Sequence, residues 1–137
     1  MTRSIHGIAA IALLALVAGG APGAHAEDAK VTPVRSEKLP NVPGKSVTTV
    51  LVTYAPGGKS ASHHHAGSVM AYVLSGQIRS ENSATGPARV YKAGEAFFEP
   101  PGSEHLISEN ASTTEPASLL ATFVADDGAQ LTTFGKK

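Results

Sequence analysis

The chain has no cysteine and no tryptophan among its 137 residues. Without cysteine there is no disulfide, no thiolate nucleophile and no thiolate metal ligand, so the fold must be held by a hydrophobic core, a metal or a partner subunit. A transmembrane span is also missing: crossing a bilayer takes about 20 consecutive apolar residues, and the run Ile8–Ala18 has eleven. No stretch combines a helical apolar period with helix caps, and there is no Gly-rich phosphate loop or serine nucleophile elbow. Positive charge is scarce, with eleven Lys and Arg against eleven Asp and Glu. Nucleic acid and anionic membranes need a basic surface, so neither is expected as a partner.

The short apolar run is the centre of an export signal. Arg3 precedes it, Gly19, Gly20 and Pro22 end it, and Ala24-His25-Ala26 supplies the small residues read by a signal peptidase. Cleavage after Ala26 is expected, giving an exported, periplasmic or secreted chain that is not in the membrane in its mature form. Removing residues 1–26 from 137 leaves 111, the size of one domain with one core. Loss of Arg3 leaves ten basic and eleven acidic residues, a net charge near −1.

The remainder divides into a Pro-punctuated lead-in (27–45), a body (46–125) and a polar tail (126–137) expected to fray. One short strand is expected in the lead-in, near Val31–Arg35. The body is β-branched and aromatic in short runs broken by turn residues: SVTTVLVTY, then APGGKS; VMAYVL, then Ser75-Gly76; AFFE, then Pro100-Pro101-Gly102. About eight short strands without a helix predict an all-β sandwich or barrel. In VMAYVL both parities are apolar, Val69, Ala71 and Val73 on one face and Met70, Tyr72 and Leu74 on the other. A half-exposed strand alternates with polar residues, so the second face is expected to be covered by the lead-in or by a second subunit. A homodimer is the favoured expectation.

Six histidines are present, and His6 and His25 lie in the signal. The other four are His63, His64, His65 and His105. On a strand, His63 and His65 share a face about 6–7 Å apart at Cα, and His64 opposes them. That spacing suits two imidazoles binding one ion at about 2.0–2.1 Å. His105 is the one histidine left to be a third ligand. By spacing alone, the alternative that His63–His65 form an exposed polar edge and His105 is a separate satisfied histidine is as open as the metal site.

The spacing resembles the cupins, small jelly-roll β-barrels. Gly57, five residues, His63-His64-His65, three residues, position 69, six residues and Gly76 match their first motif. Gly94, five residues, Pro100-Pro101-Gly102, two residues and His105 match their second, with Asn110 one position late. The resemblance covers roughly residues 46–125. It implies a single cupin-type jelly-roll barrel, with one divalent transition metal (Fe, Mn, Cu, Ni or Zn) held by His63, His65 and His105. The family's motif glutamate falls at Val69, which shares the parity of His63 and His65 and cannot ligate. A three-histidine ion keeps its full charge, leaves open positions and favours small anionic or bidentate ligands.

Glu99, six residues before His105, has two placements: into the cavity as a fourth ligand or general base, or out to solvent at the strand end. His64 is expected at the surface or rim, and Gln77, Arg79 and Tyr72 are unselected rim candidates. The functional expectation is a metal-dependent dioxygenase-type oxidoreductase acting on a small molecule. The alternative is a non-catalytic binder of a metal or small ligand in the periplasm, and a third reading is a barrel that has lost its metal.

Overall fold

Strand alternation organises this chain. β-Branched and aromatic residues fit a pleated surface, and here they recur with period two between glycine- and proline-containing turns. The computed structural model describes residues 29–135. The export signal and its cleavage point therefore lie outside the described residues. Among the described residues there are eleven strands and no helix: β1 (Lys30–Lys38), β2 (Lys45–Tyr54), β3 (Lys59–Ser60), β4 (His63–His65), β5 (Ser68–Ser75), β6 (Gln77–Asn82), β7 (Gly86–Lys92), β8 (Ala96–Glu99), β9 (Glu104–Asn110), β10 (Ala117–Asp126) and β11 (Thr132–Phe134).

They form two antiparallel sheets facing each other, the jelly-roll arrangement expected from the sequence. One sheet runs β1-β2-β10-β5-β8, the other β11-β4-β9-β6-β7, with β3 also on β9. The core is the space between them. It takes Val69, Ala71 and Val73 from β5, Ile78 from β6, Phe97 from β8, and Leu119, Ala121 and Phe123 from β10. Ile78 and Val73 are fully buried, each worth about 1.5–3 kcal/mol of transfer from water.

Two segments at the ends of the body are more ordered than their composition suggests. The lead-in strand extends over Lys30–Lys38 because it pairs along nearly all of β2, with a register shift between Pro33 and Arg35. Pro33 is accepted on this strand because β1 is the sheet edge, where one row of backbone groups needs no partner. In the tail, Thr132–Phe134 pairs with β4, because β4 otherwise leaves one edge unpaired. Leu131 packs against the core. The tail is thus tied down over this stretch.

Gly76 joins β5 to β6 with φ +68°, and an added Cβ would come within 2.5 Å of the Pro116 carbonyl oxygen. Both the left-handed backbone and the close approach demand glycine there. Ile78→Ala is expected to lower the unfolding free energy by about 2–5 kcal/mol, and Gly76→Ala by about 1–3 kcal/mol. Val90→Ala, at a position 45% exposed, is expected to stay within about 0.5 kcal/mol; urea denaturation of the three variants measures each.

Candidate metal centre

β4 is three histidines long, and alternation divides them. His63 and His65 are each 7% exposed and point between the sheets. His64 points the other way, opposite Thr133 on one side and Glu104 on the other. Register supplies the third imidazole: His63 and His105 are cross-strand partners of β4 and β9. One potential ligand atom from each of His63, His65 and His105 lies within 4.8 Å of the others. Nitrogens held about 2.1 Å from one ion lie about 3.4 Å apart at tetrahedral angles and at most about 4.2 Å apart, so a pair at the full 4.8 Å has to close by at least about 0.6 Å.

The backbone sets which nitrogens face inward. His63 Nδ1 donates to the Ala61 carbonyl at 2.7 Å, and His65 Nδ1 donates to the Leu131 carbonyl at 3.0 Å with Thr132 Oγ1 3.1 Å away. A carbonyl only accepts, so the proton sits on Nδ1 and the Nε2 lone pair is left for the cavity. His105 is held differently. Its Nε2 lies 2.8 Å from Ser80 Oγ, which leaves Nδ1 turned toward Glu99. Phe123 packs edge-on against the His65 ring and Phe97 against the His105 ring, with centroids 5.0 and 5.9 Å apart.

Glu99 takes the inward one of its two placements. It is 3% exposed, its Oε2 3.0 Å from His105 Nδ1 and 3.7 Å from His65 Nε2. Val69 also points inward, as parity requires, and stands directly across from Glu99 in the β5–β8 register. The histidines and Glu99 open onto a cavity of about 90 Å³, room for a ligand of a few heavy atoms beside an ion. Its walls are mostly apolar, and Glu99 is the one carboxylate among the lining residues, which include no Lys or Arg. Arg79 pairs instead with Glu109, and Tyr72 is half exposed on the outer face. Asn110 holds a loop, its amide donating to the Ala55 and Glu115 carbonyls.

Several contributors had no sequence signal. Ser80 steadies His105, and Leu131 with Thr132 steadies His65. Tyr54 lines the cavity with its hydroxyl 2.7 Å from Ser108 Oγ and 3.3 Å from Ser60 Oγ. Only the inward parity of each strand would have singled them out, and parity does not reveal partners across sheets.

The donor set fits a divalent transition metal. Glu99 Oε2 and His105 Nδ1 are fully buried and 3.0 Å apart, yet neither makes a well-aligned hydrogen bond. Burial without a partner is costly for such atoms, and a cation that accepts imidazole and carboxylate satisfies both.

Burial pushes the His63 and His65 imidazoles below 6.5. Burial alone would raise the Glu99 carboxyl, but His105, with His65 and His63, outweighs it and holds it below 4.5. Both shifts act in one direction. A depressed histidine penalises the folded state once pH falls below 6.5, and a depressed carboxyl loses its stabilisation as pH falls below 4.5. The melting temperature of metal-free protein is therefore expected to fall from about pH 7 to about pH 5, and less steeply in His63→Phe; scanning calorimetry across that range measures it.

Comparison with known proteins identifies the fold and the family. A cupin-domain family profile matches residues 50–123, more than half of the chain. Germin-like protein subfamily 2 member 2 of Arabidopsis thaliana is 33% identical over 97 residues, which cover 68% of this chain and 43% of that protein. The match thus spans less than half of the curated relative. Oxalate oxidase in complex with the substrate analogue glycolate superposes with a TM-score of 0.62 at 22% identity, over 86% of this chain and 60% of that one. A cupin-like protein from Thermotoga maritima superposes with a TM-score of 0.61 at 18% identity, over 80% of this chain and 77% of that one. Together with the two motifs, the paired sheets and the clustered histidines, the family-profile match shows that the chain belongs to the cupin family.

Proposed function

We propose that the mature chain is exported to the periplasm or beyond and binds one divalent transition metal through His63, His65 and His105. The ion serves reaction with a small anionic or bidentate oxygen ligand, of the dioxygenase or oxidoreductase type. The observation that carries this reading is the inward convergence of three imidazoles, two with Nδ1 already committed to backbone carbonyls. A bound ion supplies Lewis acidity and open coordination positions. The chain's own residues do the rest. Phe123, Phe97 and Leu119 exclude water, and Tyr54 offers a hydroxyl to a ligand in the cavity. With no Lys or Arg lining the cavity, an anionic ligand would have to be held by the ion. The similarity to an oxalate oxidase bound to glycolate supports small oxygen chelates as the first class to try.

A non-catalytic binder is the second reading, favoured by one observation: Glu99 is the sole carboxylate available for proton transfer in the cavity. Metal analysis of purified mature protein is expected to find about one ion per chain in wild type and none in a His63→Ala/His105→Ala variant. Wild type without metal would end both readings. Oxygen uptake by iron- or manganese-loaded protein with dicarboxylates, hydroxy acids and diols separates enzyme from binder, and no uptake with any of them favours the binder.

We also propose a homodimer. Met70, Tyr72, Leu74 and Phe98 are 50%, 46%, 43% and 43% exposed on the outer face of one sheet, where Met70 stands across from Phe98. The described part of the lead-in does not cover them, because it pairs at the far edge through β2. An apolar patch of this kind marks an interface. Light scattering is expected to give twice the chain mass for wild type and a monomer for Met70→Glu/Tyr72→Lys.

A further inference from the structure

The electrostatic contents of the cavity do not close with the three histidines alone. His63 and His65 carry their protons on Nδ1, so each presents an Nε2 lone pair inward. Glu99 Oε2 faces the His65 Nε2 at 3.7 Å and the His105 Nδ1 at 3.0 Å. Two acceptors face each other across the first of these distances. Across the second, two fully buried atoms stand without an aligned hydrogen bond. A carboxylate oxygen in that position, 4% exposed at its side chain, has no water-facing alternative. The inward lone pairs of His63 and His65 and the Glu99 carboxylate converge with no well-aligned donor between them, and a cation satisfies all of them at once.

We infer that Glu99 is a fourth protein ligand to the ion, and that it occupies the place a carboxylate at position 69 would fill from the neighbouring strand. The inference rests on the metal-centre reading above and refines its donor set to three nitrogens and one oxygen. The placement follows from register. Val69 and Glu99 are directly opposed on β5 and β8 and both point between the sheets. Side chains directly opposed across an antiparallel pair have Cβ atoms about 4.5–5.5 Å apart, a distance a glutamate side chain can span. Alternation makes the orientation unavoidable: Phe97 and Glu99 face inward while Phe98 is exposed on the outside. Pro100 then ends the strand, leaving Glu99 as its last inward residue.

A ligated Glu99 leaves the centre with one negative charge already supplied. With that charge in place the centre would attract a further anion less strongly than a three-histidine ion would, which favours monoanionic or neutral chelates in the cavity that Phe123 and Tyr54 line. A free Glu99 acting as a base is the competing role.

Titration of metal-stripped protein with Co(II) alone, followed by its visible absorption and by competition with a chelator, tests this. Glu99→Gln, nearly isosteric, and Glu99→Val are each expected to bind Co(II) at least about 100-fold more weakly than wild type, beyond the 10–100-fold loss typical of removing an outer partner. Adding Val69→Glu to Glu99→Val is expected to restore affinity to within tenfold and to return the absorption envelope toward that of wild type. Circular dichroism and the melting temperature of each metal-free variant establish that it is folded. Wild-type affinity and spectrum retained in both single variants would overturn the inference, as would a loss that Val69→Glu fails to recover. Wild type that binds no Co(II) would overturn the underlying metal-centre reading as well, so the two failures are distinguishable.

Discussion

His63 and His105 face each other because β4 and β9 pair in one particular register, and the site hangs on that pairing. A slip of one residue turns every side chain of β4 to the opposite face. It would exchange the inward pair His63 and His65 for His64 alone. Neighbouring contacts resist the slip. β3 pairs with β9 at Lys59 and Ser60, Ala61 and Ser62 separate it from β4, and β11 pairs along the other edge of β4. A three-residue strand is too short to hold register by its own hydrogen bonds. It is held from both sides and by the packing of His65 on Phe123.

The core and the site are one construction. Inward residues of β5, β8 and β10 supply apolar bulk along most of the interior, and the same parity brings Glu99 and the imidazoles together near one end. Tyr54 sits between the two regimes. Burial raises its phenol above the usual range, while Ser108 and Ser60 pull it back by hydrogen bonding. It is therefore a neutral hydroxyl at neutral pH, able to donate or accept.

Local regularities were readable from the residues. Alternation within His63–His65 is a property of three consecutive positions, and the turn glycines and the Pro-Pro-Gly break announced the strands. What could not be read was decided by contacts between distant strands. Glu99 had two placements because parity alone does not say whether the last residue of a strand reaches solvent. The opposition of Glu99 and Val69 settles its direction, and that depends on how residues thirty positions apart are aligned. Ser80 and Leu131 have no signal in the sequence for the same reason, since a serine behind one ring and a carbonyl behind another carry no local pattern. The composition of the tail predicts fraying. A short Thr-Thr-Phe strand within it gains its order from the vacant edge of β4.

That last strand has a kinetic side. The carbonyl that keeps the His65 proton on Nδ1 belongs to Leu131, and β11 beside it is only three residues long. Short edge strands open far more often than a protein unfolds as a whole. Each opening frees the imidazole to rotate or to shift its proton. For an ion bound as proposed above, release would then be governed by a few backbone bonds at the sheet margin and not by unfolding of the whole barrel.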